Sequence, residues 1–201
     1  MVKILVKKID TRVLLKKRPS PYSIINSISE DKYLKSGWNE ISNLKYGFYI
    51  DLFGHPEYIE KIDLSGYDTT YIADMSLMFS SCSSLKELDV SNFNTRSVVN
   101  MFGAFSFCCG FTKLDLSNFD IRNVTNISYL FYGCLSLQEL DLSNFSVKNV
   151  IYSMKMFCQC PRLKYIRCTK EFKDWCVKNQ DEIDLPKSMR EGGDGIWDII
   201  K

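Results

Sequence analysis

Residues 85–110 read LKELDVSNFNTRSVVNMFGAFSFCCG, and the next 26 residues, 111–136, read FTKLDLSNFDIRNVTNISYLFYGCLS. Laid one over the other, they match column by column without a gap. Residues 137–162, LQELDLSNFSVKNVIYSMKMFCQCPR, continue the pattern, and residues 59–84, IEKIDLSGYDTTYIADMSLMFSSCSS, precede it. Cys82, Cys108, Cys134 and Cys160 fall 26 residues apart as a result. A fixed period of this size is the mark of one structural unit used repeatedly, and catalytic or metal-binding cysteines are not spaced this way. A fifth unit breaks off after LKYIRC at Cys168. Upstream, Tyr49, Leu52 and Phe53 stand 26 residues before Met75, Met78 and Phe79, so a degenerate half-unit leads in.

Each unit opens with alternating apolar and charged residues, as in Leu85, Leu88 and Val90 with Lys86, Glu87 and Asp89 between them. That alternation predicts a strand with its charges outward. Ser91-Asn92 reads as a turn, and Phe93 and Val98 then carry apolar side chains through an irregular stretch. Asp74, Asn100 and Asn126 each precede apolar residues at helical spacing: Met75, Met78 and Phe79; Met101, Ala104 and Phe105; Ile127, Leu130 and Phe131. A short helix capped by the Asp or Asn is predicted in each unit. One unit is too small to bury its apolar face, and stacking equal units joins those faces into one core. With strands about 4.8 Å apart, roughly five such coils make a slab near 25 Å long.

The runs LDLSNF, NVTN and MF-x-x-C resemble the BspA-type leucine-rich repeats of bacterial and protozoan surface proteins, over about residues 59–168 with a decayed edge back to about 44. The resemblance implies an α/β repeat: a right-handed leucine-rich-repeat-like solenoid that binds other macromolecules and catalyses nothing. The chain departs from the common pattern L-x-x-L-x-L-x-x-N/C in carrying Tyr67, Phe93, Phe119 and Phe145 at the Asn/Cys position, so its turn after the strand is built differently. The expected organisation is an N-terminal basic cap and connector over 1–43, about four full units with partial edge coils over 44–168, and a C-terminal cap over 169–201.

The ends carry the individuality. Residues 1–18 hold seven basic side chains, Lys3, Lys7, Lys8, Arg12, Lys16, Lys17 and Arg18, against Asp10 alone, whereas 59–168 hold ten basic and ten acidic. The runs Lys3–Lys8 and Arg12–Lys17 read as a hairpin or paired strands capping the first coil. Their lysines discourage edge pairing or, alternatively, form a phosphate-binding patch for nucleic acid. Residues 19–43, with Pro19, Pro21 and Trp38, read as a connector with one short helix. Glu171–Asn179 reads as an amphipathic helix covering the last coil. Ile196, Trp197, Ile199 and Ile200 form either a closing strand or an exposed partner-binding segment.

Aromatic residues at 13% and hydrophobic residues at 45% exclude a disordered chain. No transmembrane run and no signal peptide are read, and the expected location is therefore the cytoplasm of the producing or host cell. Eight cysteines in that compartment are expected as reduced thiols, the four in the column as a buried ladder. Cys109, Cys158, Cys168 and Cys176 lie outside the column, and Cys158-Gln159-Cys160 is too closely spaced for a zinc pair. The single histidine, His55, precedes Pro56 in a turn, with no acid–base partner set. No catalytic residue, cofactor or metal ligand is assigned.

What remains is a surface. Lys61, Asp63, Glu87, Asp89, Lys113, Asp115, Glu139 and Asp141 form charged stripes on the expected strand face, extended by Tyr165 and Arg167. The reading is a non-enzymatic protein-binding module, whose size and lack of export signals suit a virus- or mobile-element-encoded inhibitor masking a host enzyme. A nucleic-acid-binding accessory protein using the basic N-terminal strands is the first alternative, and a bacterial surface or adhesion-type repeat protein the second. The partner is another protein in the first reading, with nucleic acid as the N-terminal option and no membrane.

Overall fold

A computed structural model of the chain describes residues 2–6, 37–41, 57, 59–64 and 68–200, with the first two segments described as backbone. The elements are β1 (Val2–Val6), β2 (Gly37–Ile41), β3 (Ile59–Asp63), β4 (Lys113–Asp115), β5 (Glu139–Leu142), β6 (Tyr165–Thr169), α1 (Lys170–Lys178) and β7 (Ile196–Ile200), with a 3-10 turn at Lys187–Met189 before the last strand. They form two sheets, an antiparallel one in the order β2-β1-β3 and a parallel one in the order β4-β5-β6-β7.

The parallel sheet keeps the sequence period. Lys113 pairs with Glu139 and Glu139 with Tyr165, a step of 26 residues each time. A second ladder runs alongside it, where Asp74, Asn100, Asn126 and Tyr152 make successive parallel bridges at the same step. Backbone bonds between these turn segments follow a rule. Met75, Leu77, Phe79 and Ser81 donate their amides to the carbonyls of Asn100, Phe102, Ala104 and Ser106, each at 2.8 Å. Met101, Gly103, Phe105 and Phe107 do the same toward Asn126, Ser128, Leu130 and Tyr132 at 2.7–3.0 Å.

This bonding replaces the short helices predicted from the apolar spacing. A helix returns every amide to its own chain four residues back. Here every second amide leaves for the next unit, and amides between them close four-residue turns, as in Met78 to Met75 at 3.2 Å. The alternation requires left-handed backbone at two columns: Leu77, Gly103, Tyr129 and Lys155 (φ 54–59°), then Ser81, Phe107, Gly133 and Gln159 (φ 57–73°). Two such turns in succession point residues 75, 78, 79 and 82 inward, the same spacing as one helix face, which is why the pattern read as helical. The capping acceptors keep their role in another form. The Oδ1 atoms of Asp74, Asn100 and Asn126 accept the amides of Ser76, Phe102 and Ser128 at 2.8–3.1 Å, as Asx turns do.

The strand predicted at Leu85–Val90 also differs. Leu85 and Val90 are buried and Lys86, Glu87 and Asp89 exposed, as expected, but the segment belongs to no strand. The strand of the preceding unit, β3, pairs with β1; Asn92 Nδ2 reaches back to that unit, donating to the Leu64 carbonyl at 3.0 Å, and Ser84 Oγ at the end of that unit reaches back one further, donating to the Glu57 carbonyl at 2.5 Å.

Between the two ladders lies a core of stacked columns. Phe79, Phe105, Phe131 and Phe157 stack ring on ring, with centroids 5.4–5.9 Å apart and planes within 13°. Phe93 and Phe119 stack beside them at 6.1 Å. Each buried ring contributes about 1.5–3 kcal/mol by leaving water. The cysteine column lines the same core, and its thiols reach across units: Cys108 Sγ donates to the Phe79 carbonyl, Cys134 to Phe105 and Cys160 to Phe131, at 3.0–3.1 Å. All eight cysteines are free thiols.

Strand pairing continues toward both ends of the chain. β1 pairs antiparallel with β2 and with β3, so the N-terminal strand does lie against the first unit. Its hairpin partner was expected at Arg12–Lys17, which lies outside the described residues; the described partners are β2, within the expected connector, and β3. The C-terminal helix forms as expected. Thr169 Oγ1 caps it by accepting the Phe172 amide, and Phe172 and Cys176 are buried. The tail is a strand: β7 adds to the sheet parallel to β6, with Ile166 opposite Trp197 and Cys168 opposite Ile199. The Trp197 indole donates to the Met189 carbonyl at 3.1 Å, which anchors it.

Candidate protein-binding face

Alternation along β4, β5 and β6 buries Leu114, Leu140 and Ile166, and turns Lys113, Asp115, Glu139, Asp141, Tyr165 and Arg167 to the other side. These six stand on adjacent strands in one register, Lys113 beside Glu139 beside Tyr165, and Asp115 beside Asp141 beside Arg167. The other four predicted face residues are placed apart from them. Lys61 and Asp63 sit on β3 in the antiparallel sheet, and Glu87 and Asp89 on the unpaired segment between the sheets. The charged stripe therefore runs through two sheets and an irregular stretch.

Within the parallel sheet the charges answer one another. Lys113 Nζ lies 2.7 Å from Glu139 Oε2. Arg167 Nε is 3.9 Å from Asp141 and 3.7 Å from Asp198, and the Tyr165 hydroxyl donates to Asp198 at 2.6 Å. That hydrogen bond pushes the Tyr165 phenol above its usual range. Asp198 belongs to β7 and joins the face because β7 pairs in register with β6, a placement that no motif in the tail announced.

The aspartate column has a second duty. The Oδ1 atoms of Asp89, Asp115 and Asp141 accept the amides of Ser91, Ser117 and Ser143 at 2.9–3.0 Å. Bonds from Ser91, side chain first and amide second, hold the Asp89 carboxyl below the usual range. These carboxylates shape the turn after the strand, and the next column completes it. Asn118 Nδ2 reaches the carbonyls of Val90, Ser91 and Phe93 in the preceding unit at 2.9, 3.3 and 3.2 Å. The asparagine thus works one position ahead of its place in the common leucine-rich pattern, and the position it vacates holds a buried ring, Phe93, Phe119 or Phe145.

Beyond this turn an open cavity of about 560 Å³ lies among Asn94, Thr95, Arg96, Asn118, Asp120 and Arg122. Two arginines share its carboxylate. Arg122 grips Asp120 in a two-point contact at 2.9 and 2.7 Å, Arg96 approaches the same carboxylate at 3.7 Å, and the bond from Arg122 pulls Asp120 below the usual carboxylate range. The thiols move the other way. Burial raises Cys82, Cys108 and Cys176 well above the ordinary thiol value, Cys168 to about 12 and Cys158 to about 11. A general base or a nucleophile needs the opposite shifts, a raised carboxylate or a lowered thiol.

Among the described residues no cluster of His, Cys, Asp and Glu could hold a metal ion, and no helix is long and apolar enough to cross a membrane. Of the predicted nucleic-acid patch, Lys3 is placed on β1, and Lys7, Lys8, Arg12, Lys16, Lys17 and Arg18 lie outside the described residues, as does His55. The turn edge, where Phe107, Tyr152 and Met154 are exposed, was not singled out as a surface by the sequence reading. Its signal is two stretches of 16 residues without a charge, 97–112 and 123–138.

These features define a protein of repeated 26-residue units, tied unit to unit by parallel backbone pairing, with many of its polar groups committed to bonds within the chain. A family model described as "Mycoplasma protein of unknown function, DUF285" matches residues 50–172. The match covers more than half of the chain, and the chain belongs to this family. No curated protein and no solved structure matches it.

Proposed function

We propose that this member of the family is a BspA-type leucine-rich-repeat protein, a right-handed solenoid of the α/β repeat class, that acts as a non-enzymatic protein-binding module. The handedness follows from the general rule that parallel strands joined by a crossover are connected right-handedly. The observation that carries the functional reading is the register of Lys113, Glu139, Asp141, Tyr165 and Arg167 on adjacent parallel strands. Backbone pairing spaces these side chains at fixed strand intervals of about 4.8 Å, so a partner meets a preorganised array and little ordering cost. Pairing among the charges tunes specificity more than affinity, because a partner must offer a matching pattern to displace it. The direction of the thiol and carboxylate shifts supports the absence of catalysis.

The test is capture of proteins from a lysate of the producing cell on immobilised full-length chain, alongside the double variant Glu139→Lys, Arg167→Glu. Neither substitution replaces a turn-forming aspartate, and because Arg167 lies 3.9 Å from Asp141 the variant's far-ultraviolet spectrum must match that of the natural chain. A protein held by the natural chain and lost by the variant supports the reading. Equal capture by both, or none by either, sinks it.

A further inference from the structure

The turn edge differs from the strand face in one respect that decides its chemistry. Residues 97–112 and 123–138 contain no Asp, Glu, Lys or Arg, and the charges of this edge stand toward its ends, at Asp74 in the first unit and Lys155 in the fourth. Yet this edge is far from closed. Leu77, Val99, Phe107, Ile151, Tyr152 and Met154 are each between 37% and 67% exposed. Taking ordinary full areas of about 150–250 Å² per side chain, they leave on the order of 600 Å² of largely apolar surface in water. Four rings knit the middle of the edge together: Phe102 meets Tyr129 at 5.4 Å, Tyr129 meets Tyr132 at 5.5 Å, and Tyr132 meets Phe107 at 5.1 Å. Single exposed apolar residues need no explanation, but a patch of this size on successive units does.

We infer that this edge is where a second copy of the chain docks, as a two-fold dimer. Two arguments select a second copy. A two-fold contact sets residue i against residue j and j against i, so an apolar middle flanked by Asp74 at one end and Lys155 at the other is complementary to itself. The area also suits it. With the half-buried Phe102, Tyr129 and Tyr132 added, the edge approaches the roughly 800 Å² per partner of a standard stable interface. Aromatic and Met side chains are the types enriched at such contacts. The strand-face residues stand on a separate ladder, so a dimer joined at the turn edge keeps both strand faces open and presents the proposed binding face twice. The inference does not depend on that face binding anything.

The repeat supplies variants that the fold already tolerates. Tyr152 shares its column with Asp74, Met154 with Ser76 and Ser128, Ile151 with Thr125, and Phe107 with Ser81. The chain carrying Tyr152→Asp, Met154→Ser, Ile151→Thr and Phe107→Ser thus places at each site a residue that another unit holds in the same position. Sedimentation equilibrium of the full chain up to about 100 µM, well above a micromolar dissociation constant, should give twice the chain mass of 23.3 kDa. The fourfold variant should give the single mass with its far-ultraviolet spectrum unchanged, and Tyr152→Asp alone should raise the dissociation constant at least tenfold. The strand-face variant Lys113→Glu should remain a dimer. A natural chain that sediments as a monomer throughout overturns the inference. So does a folded fourfold variant, or a folded Tyr152→Asp chain, that dimerises as tightly as the natural one, or a dimer that Lys113→Glu also dissolves.

Discussion

The Phe107 ring lies across Gly133 of the next unit so closely that a Cβ on Gly133 would stand 2.7 Å from Phe107 Cδ1. Both residues have left-handed backbone, φ 57° and 73°. Leu77 covers Gly103 in the same way, with 2.8 Å from its Cδ2 to the missing Cβ. In both columns, then, the glycine relieves two constraints at once, the positive φ and the side chain lying over it. Gly133→Ala meets both, about 1–2 kcal/mol for the backbone and more for the overlap, and should lower stability by about 2–3 kcal/mol in urea titration. Adding Phe107→Ala removes the overlap alone. A double-mutant cycle should therefore show a coupling of about 1 kcal/mol between the two sites. Strict additivity would mean that the ring swings clear at no cost.

The cysteine column bonds from unit to unit, and this gives Cys134 a specific loss to suffer. Its thiol donates to the Phe105 carbonyl at 3.1 Å inside a fully buried core. Cys134→Ala deletes the sulfur and leaves that carbonyl without its donor, and should cost about 1–3 kcal/mol. Because the side chain faces away from both the strand face and the turn edge, capture of a partner and self-association should be unchanged in the variant at a temperature where it is folded. A folded Cys134→Ala chain that loses either would show that the column is more than a spine.

How far the amino-acid sequence carried can be judged at individual columns. The period, the inward columns Phe105, Cys108 and Leu114 and their equivalents, and the capping helix after Cys168 follow from apolar spacing, because burial depends on which side chains recur and at what interval. The turn segments were misread, since two left-handed turns in succession present residues 75, 78, 79 and 82 to the core with the spacing of a helix. Positive φ at Leu77, Phe107 and Tyr129 leaves no trace in composition, as these residue types rarely adopt it. The second role of Asp89 and Asp115 was hidden for a related reason. An outward aspartate one residue before the end of an alternating run looks the same whether it faces a partner or accepts the amide two residues on.

Buried thiols set the alkaline limit of the fold. Cys82, Cys108 and Cys176 are held well above the ordinary thiol value by burial, and Cys168 at about 12. An unfolded thiol ionises near its ordinary value of about 8.5. Above that pH the unfolded chain releases protons that the native one keeps, so stability must fall as pH rises. It is fully present below about pH 8, and each such thiol removes about 1.4 kcal/mol per pH unit beyond its unfolded value. The urea midpoint should therefore drop steeply between about pH 8 and 10. Cys176→Ala should make that drop shallower by one thiol's share, even though the variant starts lower. An equal slope in the two proteins would contradict the assignment.

The asparagine column offers the sharpest test of how units are joined. Asn118 spans three carbonyls of the preceding unit with a single amide nitrogen, and Asn123 and Asn149 make a similar reach to the carbonyls of Arg96 and Arg122 at 2.8 and 2.6 Å. The two kinds differ in setting. The bonds of Asn118 to Val90 and Phe93 are partly buried, whereas those of Asn123 and Asn149 are exposed. Water can replace an exposed donor but not one shielded beside Phe93 and Phe119, so the penalties should separate. Asn118→Ala should cost about 2–3 kcal/mol, and Asn123→Ala less than about 1 kcal/mol. Amide hydrogen exchange should then show the Asn118 variant opening first between the units that begin at Leu85 and Phe111. Equal, small costs at both positions would mean that the backbone ladders and the stacked rings hold the units together without the asparagines.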